Sequence, residues 1–338
     1  MINLDQEGLI KEIKRLKEIL DVTVVAHFYQ KDEVFKLADI TGDSLELAKR
    51  TINSNTEFIL FCGVAFMGES VKVLNPEKRV IMPKMACCSM AQMIDGNYYD
   101  KSIKILEKNG ILKENILPIT YINSSAEVKA KVGEMGGLVC TSSNAQKIIT
   151  SGLESGKKIL FVPDRCLGQN IANQMGLKSA VLDVENGEEN SLYLDSDVIC
   201  YDGFCSVHQL FSVEDIKFYR EKYPNIIVAV HPECDPKVVA KSDFVGSTSQ
   251  LIRYIQELPK EQKVVVGTEF NMVNRLREKN TYILSSTKPE CPTMNETSLE
   301  DLYNTLKSIE DGKPFYEIEL DATVQKNAQL ALERMLAL

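Results

Sequence analysis

Ten short runs rich in Val, Ile and Phe recur along this chain, with helix-like segments between them. They are Val22 to Phe28, Phe58 to Cys62, Val80 to Met82, Ile116 to Ile122, Leu138 to Thr141, Ile159 to Val162, Val198 to Tyr201, Ile226 to Val230, Asp243 to Val245 and Val264 to Gly267. A strand buried on both faces reads as a continuous apolar run, and parallel strands need a crossover that a helix supplies. The pattern therefore predicts an α/β fold of parallel sheets covered by helices on both faces. The runs fall into three groups, with divisions expected near Met90 and Ser206. Two C-terminal helices, Ser298 to Ile309 and Ala322 to Ala337, are expected to pack back on an earlier layer, and the acidic stretch Leu182 to Asp195 reads as a surface excursion.

Several function classes are excluded early. A net charge of −9 without a basic stretch argues against nucleic acid as the main partner, since binding phosphate backbones needs clustered Lys and Arg. The longest apolar run, Ile59 to Met67, falls far short of the roughly 18 residues a membrane span needs. The N-terminal segment mixes Lys, Glu and Asp with Leu and Ile at helical spacing, unlike a secretory signal, so a cytoplasmic location is expected. In that reducing compartment nine scattered cysteines, an odd number, are read as core residues, ligands or nucleophiles rather than a disulfide framework.

The familiar nucleotide signals are missing. No Gly-x-Gly-x-x-Gly follows a strand, and the segment from Gly152 to Lys158 has one residue too few between its glycines to be a P-loop. There is no Cys-x-x-Cys either. What stands out is cysteine in Gly-, Pro- or Ser-bearing turns after strands: Cys88 in PKMACCSMAQM, Cys205 in YDGFCSVHQLF and Cys291 in KPECPTMNETS. Three thiolates far apart in sequence could meet at a domain junction and hold an iron-sulfur cluster, leaving one iron without a protein thiolate. Against this stands the plain fact that cysteine is often just buried. Cys62, Cys140 and Cys200, in apolar runs, are read as core, while Cys166 and Cys234 occupy loops without a partner in the scheme.

The three histidines all follow or adjoin strand ends. His27 precedes Tyr29 by two residues and His231 precedes Glu233 by two, so each juxtaposes two groups able to transfer protons. His208, three residues after Cys205, reads equally well as packing, capping or support for a ligand. Hydroxyl and amide clusters at Thr41 to Ser44, Tyr121 to Ser125, Cys140 to Asn144 and Gly246 to Ser249 each open a helix-like segment. Free N–H groups there favour phosphate or carboxylate, although a simple N-cap would explain any one of them.

Taken together, these segments resemble the quinolinate synthase family. The resemblance is carried by His27-Phe-Tyr29 with Gly42-Asp43-Ser44, FCGVAFMGES, MACCSMAQMID, YINSSAEVKA, CTSSNA, LFVPDRCLGQN, GFCSVHQLF, VHPECDPKVVAKSDFVGSTSQLI, VGTEFNMVNRL and the late Cys291, in the expected order over almost the whole chain. It implies three Rossmann-like αβα domains in a pseudo-threefold arrangement around a central active site: residues 1–90 joined by 292–338, residues 91–205, and residues 206–291. It also implies a 4Fe-4S cluster with one open iron, its ligands Cys88, Cys205 and Cys291. Their separations of 117 and 86 residues are similar to those of the longer form, with extra residues in the middle domain.

The implied activity is that of a transferase of NAD biosynthesis, condensing iminosuccinate (iminoaspartate) with dihydroxyacetone phosphate to quinolinate, phosphate and water. Instability of the imine further implies a functional link to an L-aspartate-oxidising enzyme. Tyr29 and Glu233 would be the main proton-transfer groups, with His27 and His231 beside the substrate, and Ser44, Tyr121, Asn123, Ser142 (or Ser143) and Thr248 would bind its carboxylates or phosphate. The chain departs from the family pattern at Cys87, where Gly is usual, at Phe66 to Ser70 and at Cys166.

Overall fold

The computed structural model describes residues 5–187 and 190–338; Glu188 and Glu189, within the acidic stretch, lie outside the described residues. The first part of the chain forms α1 (Gln6–Leu20), β1 (Val22–His27), α2 (Asp32–Phe35), β2 (Ile40–Gly42), α3 (Ser44–Thr51), β3 (Phe58–Cys62), α4 (Ala65–Leu74) and β4 (Arg79–Ile81). The middle part forms α5 (Gly96–Lys108), β5 (Ile116–Tyr121), α6 (Ala126–Glu134), β6 (Leu138–Cys140), α7 (Ala145–Leu153), β7 (Lys158–Val162), α8 (Arg165–Gln174), β8 (Ser179–Leu182), α9 (Leu192–Asp195) and β9 (Val198–Tyr201). Next come α10 (Val213–Lys222), β10 (Ile227–Val230), α11 (Pro236–Val239), β11 (Phe244–Val245), α12 (Thr248–Glu257), β12 (Val264–Gly267), α13 (Phe270–Asn274) and β13 (Thr281–Ile283). Helices α14 (Leu299–Glu310) and α15 (Ala322–Ala337) end the chain.

These strands make three parallel sheets, ordered β2-β1-β3-β4, β6-β5-β7-β9-β8 and β11-β10-β12-β13. Each is sandwiched by helices because its side chains alternate between two apolar faces. In the first sheet Val24, Ala26, Leu60 and Ile81 meet Ile13 and Leu16 of α1 and Leu302 and Leu306 of α14. Val25, Ile59, Phe61 and Val80 face the other side, with Leu47 of α3 and Met67 of α4. The third sheet divides the same way, Val228, Val230 and Val265 to one face and Ala229, Val264 and Val266 to the other. The molecule is thus α/β, built as three Rossmann-like αβα units.

Three strands escape the sequence pattern, β2, β8 and β13, and all are edge strands of three or four residues. An edge strand pairs and packs on one side, so Thr41, Ser179 and Thr281 interrupt what would otherwise be a readable apolar run. Strand β8 is the extra member of the middle sheet, and it ends where the stretch read as a surface excursion begins. The C-terminal helices divide their loyalties: α14 packs on α1 of the first unit, whereas α15 lies on α6 and β6 of the middle unit and also reaches α4. Among the described residues no helix is long and apolar enough to cross a membrane.

Candidate active site and metal centre

Ligands of open parallel sheets sit beyond the carboxyl ends of the strands, and here all three sheets send those ends to one pocket. His27 ends β1 with Tyr29 two residues beyond it, Tyr121 ends β5 with Asn123 two residues beyond it, and His231 and Glu233 follow β10; all six line the pocket. So do Ser44, Ser142 and Thr248, at or near the starts of α3, α7 and α12. The N-caps of α3 and α12 are bridged by the residue before the N-cap of α7: Ser143 Oγ lies 3.2 Å from Asp43 Oδ2 and 2.8 Å from Ser247 Oγ. One helix N-terminus from each unit is therefore gathered at one place, which favours an anion. Ser142 lines the pocket while Ser143 is engaged in this contact.

Cys88, Cys205 and Cys291 also line the pocket, one from each of the three segments that follow the sheets. Their surroundings are built alike. Three residues after each cysteine a short 3-10 turn begins, at Ala91, His208 and Met294. Seven residues after it stands a helix N-cap, Asp95, Ser212 or Ser298. Each cysteine carbonyl accepts from the amide four residues on, Gln92, Gln209 or Asn295, at 3.1 to 3.3 Å. The three sulfurs thus hang from equivalent turns. Burial pushes the Cys88 thiol up to about 12, and burial with Glu233 and the other two cysteines nearby pushes Cys205 up as well. Cys87 is exposed. Cys62, Cys140 and Cys200 are fully buried in strands, as expected of core residues, and Cys166 is buried within α8 rather than placed in a loop.

A run of close polar contacts crosses the pocket from Tyr29 to Glu233. Tyr29 Oη lies 3.0 Å from Thr248 Oγ1 and 2.9 Å from Thr268 Oγ1. Thr268 in turn lies 3.1 Å from His208 Nε2. His208 Nδ1 is 2.9 Å from Glu233 Oε2, ion-pair distance, with the N–H angled off a true hydrogen bond. Tyr121 Oη donates to the other oxygen of Glu233 at 2.5 Å. Burial drives the Glu233 carboxyl upward, but the adjacent His208 and His231 and the Tyr121 hydroxyl outweigh it and hold the group below its ordinary range. Burial, then the charge of Glu233, drives Tyr29 well above its usual value, so its hydroxyl stays protonated. Burial likewise lowers His27 to about 4 and His231 to about 3. Each accepts at Nδ1 from a backbone amide two residues on, Tyr29 at 3.1 Å and Glu233 at 3.3 Å, which assigns the ring proton to Nε2.

Read from sequence, His208 has no fixed role and Thr268 has none at all. Both are buried parts of the chain of contacts between Tyr29 and Glu233. The signal for His208 was its place three residues after a candidate ligand; Thr268, the residue after β12, carried none. Cys205, His208 and Glu233 also offer ligand atoms within 4.8 Å of one another, a spacing suited to a single metal ion.

Comparison with known proteins gives a consistent result. The family model described as "Quinolinate synthetase A protein" matches residues 11–337. A protein of Helicobacter pylori called "Quinolinate synthase" is 56% identical over 330 residues, covering 96% of this chain and 97% of that protein. Proteins of the same name from Streptomyces coelicolor and Bacillus cytotoxicus are 40% and 39% identical, covering 98% of this chain in each case and 88% and 94% of their own lengths. By a family match over nearly its whole length and relatives aligned end to end, this chain belongs to the quinolinate synthetase A protein family.

Proposed function

We propose that the protein is a quinolinate synthase that condenses iminosuccinate with dihydroxyacetone phosphate, releasing phosphate and water. The observation that carries this reading is the meeting, in one pocket, of three thiols, three helix N-termini and a Tyr–Thr–His–Glu chain drawn from three separate sheets. Cys88, Cys205 and Cys291 would hold a 4Fe-4S cluster. Their fit rests on chemistry: buried thiols ionise readily only beside a cation, and three thiols on equivalent turns suit an iron cluster with one iron left free. When bound, the group supplies a Lewis acid for the oxygen that departs.

The chain's own residues do the rest. Both substrates are anionic, and the starts of α3, α7 and α12, with Ser44, Ser142 and Thr248, offer N–H and O–H donors to phosphate and carboxylates. Asn123 Oδ1 has no protein partner and lines the pocket, so it is available to a substrate donor, with Tyr121 beside it. Glu233, ionised, takes a proton; Tyr29, protonated, gives one to a leaving hydroxyl, and Thr268 and His208 connect the two. His27 and His231, neutral and carrying Nε2–H, orient substrate oxygens without adding charge. The instability of the imine implies a functional link with an L-aspartate-oxidising enzyme, in the cytoplasm.

The test is anaerobic purification with iron and sulfide analysis, followed by an assay for quinolinate from freshly generated iminosuccinate and dihydroxyacetone phosphate. About four irons per chain with quinolinate formed is the expected result. One iron, without sulfide, would assign the metal to Cys205, His208 and Glu233 instead; no iron after reconstitution would overturn the cluster.

A further inference from the structure

The loops bearing Tyr29, Asn123 and Glu233 occupy the same place in the three units, directly after the first strand of each sheet. Each is gripped in the same manner. Asn170 Nδ2, on α8, donates to Pro232 O and to Cys234 O, both at 2.8 Å. Arg275, at the end of α13, donates to Phe28 O and, at 3.0 Å, to Gln30 O. Lys129 Nζ, on α6, donates to Ile122 O at 2.8 Å and to Ser124 O. In every case the two carbonyls flank a single residue, and that residue is Glu233, Tyr29 or Asn123.

Two of these grips are the same construction. Asn170 and Arg275 each stand six residues after the N-cap, Asp164 or Glu269, of the helix following the third strand of their units. Each crosses a seam, Asn170 from the middle unit to the third and Arg275 from the third to the first. The matching position in the first unit, six after the N-cap Val64, is Ser70. Its short hydroxyl is spent on Phe66 O at 2.6 Å. Lys129 replaces it from within the middle unit, its ammonium 5.5 Å from the Phe66 ring centre, while Glu69 accepts from Ala126 N at 2.7 Å and fixes the start of α6. Asn170 and Lys129 are buried, and losing either leaves two loop carbonyls without those donors.

We propose that Asn170, Arg275 and Lys129 are positioning residues, each a two-carbonyl clamp that fixes the residue between its carbonyls for the reaction. This rests on the roles given above to Glu233, Tyr29 and Asn123. A clamp acts through one residue, so the variants differ in what they lose. Asn170→Leu and Arg275→Met lower kcat by about tenfold or more, with KM within about threefold, because a misplaced proton-transfer group slows chemistry. Lys129→Met raises KM by about tenfold and leaves kcat within about threefold, because Asn123 binds substrate. Arg275→Lys recovers most of the loss, since Lys129 shows that one ammonium can bridge two carbonyls.

The deciding measurement is a double-mutant cycle with hydrogen exchange on the iron-loaded protein. Asn170→Leu added to Glu233→Gln gives no further loss of kcat beyond about twofold, and Asn170→Leu alone speeds exchange of the His231, Glu233 and Cys234 amides. Additive losses, or equal falls in kcat for all three variants that track the folded fraction, overturn the proposal. Unchanged exchange overturns it whatever the kinetics. If Asn170→Leu does not fold, Asn170→Ser, which keeps one donor, is put through the same cycle with the same outcomes. Wild-type kcat in Glu233→Gln and Tyr29→Phe would instead remove the catalytic roles, while the exchange result would still judge the clamps.

Discussion

Lys129 is fully enclosed, and burial lowers its ammonium to about 7, with Glu69 pulling the other way. In the unfolded chain it titrates near 10.5, so between pH 7 and 10.5 the unfolded state binds more protons and stability rises with pH. The wild type should therefore gain on Lys129→Met as pH rises from 7 to 9, by at most about 1.4 kcal/mol per unit; denaturation of both proteins across that range checks the sign. Tyr29→Phe and Glu233→Gln should each lower kcat by about 10²-fold or more with iron content unchanged, as steady-state assays of iron-loaded protein would show. At this scale the sequence was informative wherever a reactive side chain stood in a turn with a neighbour of complementary chemistry, as with His27 and Tyr29. It was silent on Thr268, Asn170 and Arg275, whose roles depend on partners up to 247 residues away.

Helix α15 shows how one missing side chain seats a whole element. A Cβ at Gly133 of α6 would stand 2.0 Å from the backbone oxygen of Asn327, so only glycine lets the two helices approach this closely. Arg334 of α15 then donates to Gly133 O at 3.1 Å and Gly137 O at 2.8 Å. Gly133→Ala should cost on the order of 1–3 kcal/mol, read as a lower denaturation midpoint. Placement of α15 against the middle unit was not legible, because an apolar stripe announces that a helix must be covered and not what covers it. The central strands were legible because both of their faces are buried. The repeat of cysteine, amide at the fourth position and N-cap at the seventh was present in the sequence, yet one to three shared letters in eight are recognised as a repeat only once the turns are seen to match.

Across the whole molecule, the proposed cluster would tie together three units that otherwise meet through helix packing and loop contacts. Binding to the native state alone raises stability, so iron and sulfide reconstitution should raise the thermal midpoint, and Cys88→Ser, Cys205→Ser and Cys291→Ser should each abolish that increment and lose iron. A scan of apo and reconstituted protein under argon decides it. The seating of α14 on the first sheet has a consequence for the chain as it is made. Leu302 and Leu306 cover the same apolar face as Ile13, Val24 and Leu60, but they arrive more than two hundred residues after β4 ends. At about 5–20 residues per second, a ribosome leaves that face half-covered for roughly 10 to 40 seconds. The earliest unit to emerge is thus among the last to be finished, and the nascent chain needs shelter at its N-terminal third until its final helices leave the exit tunnel.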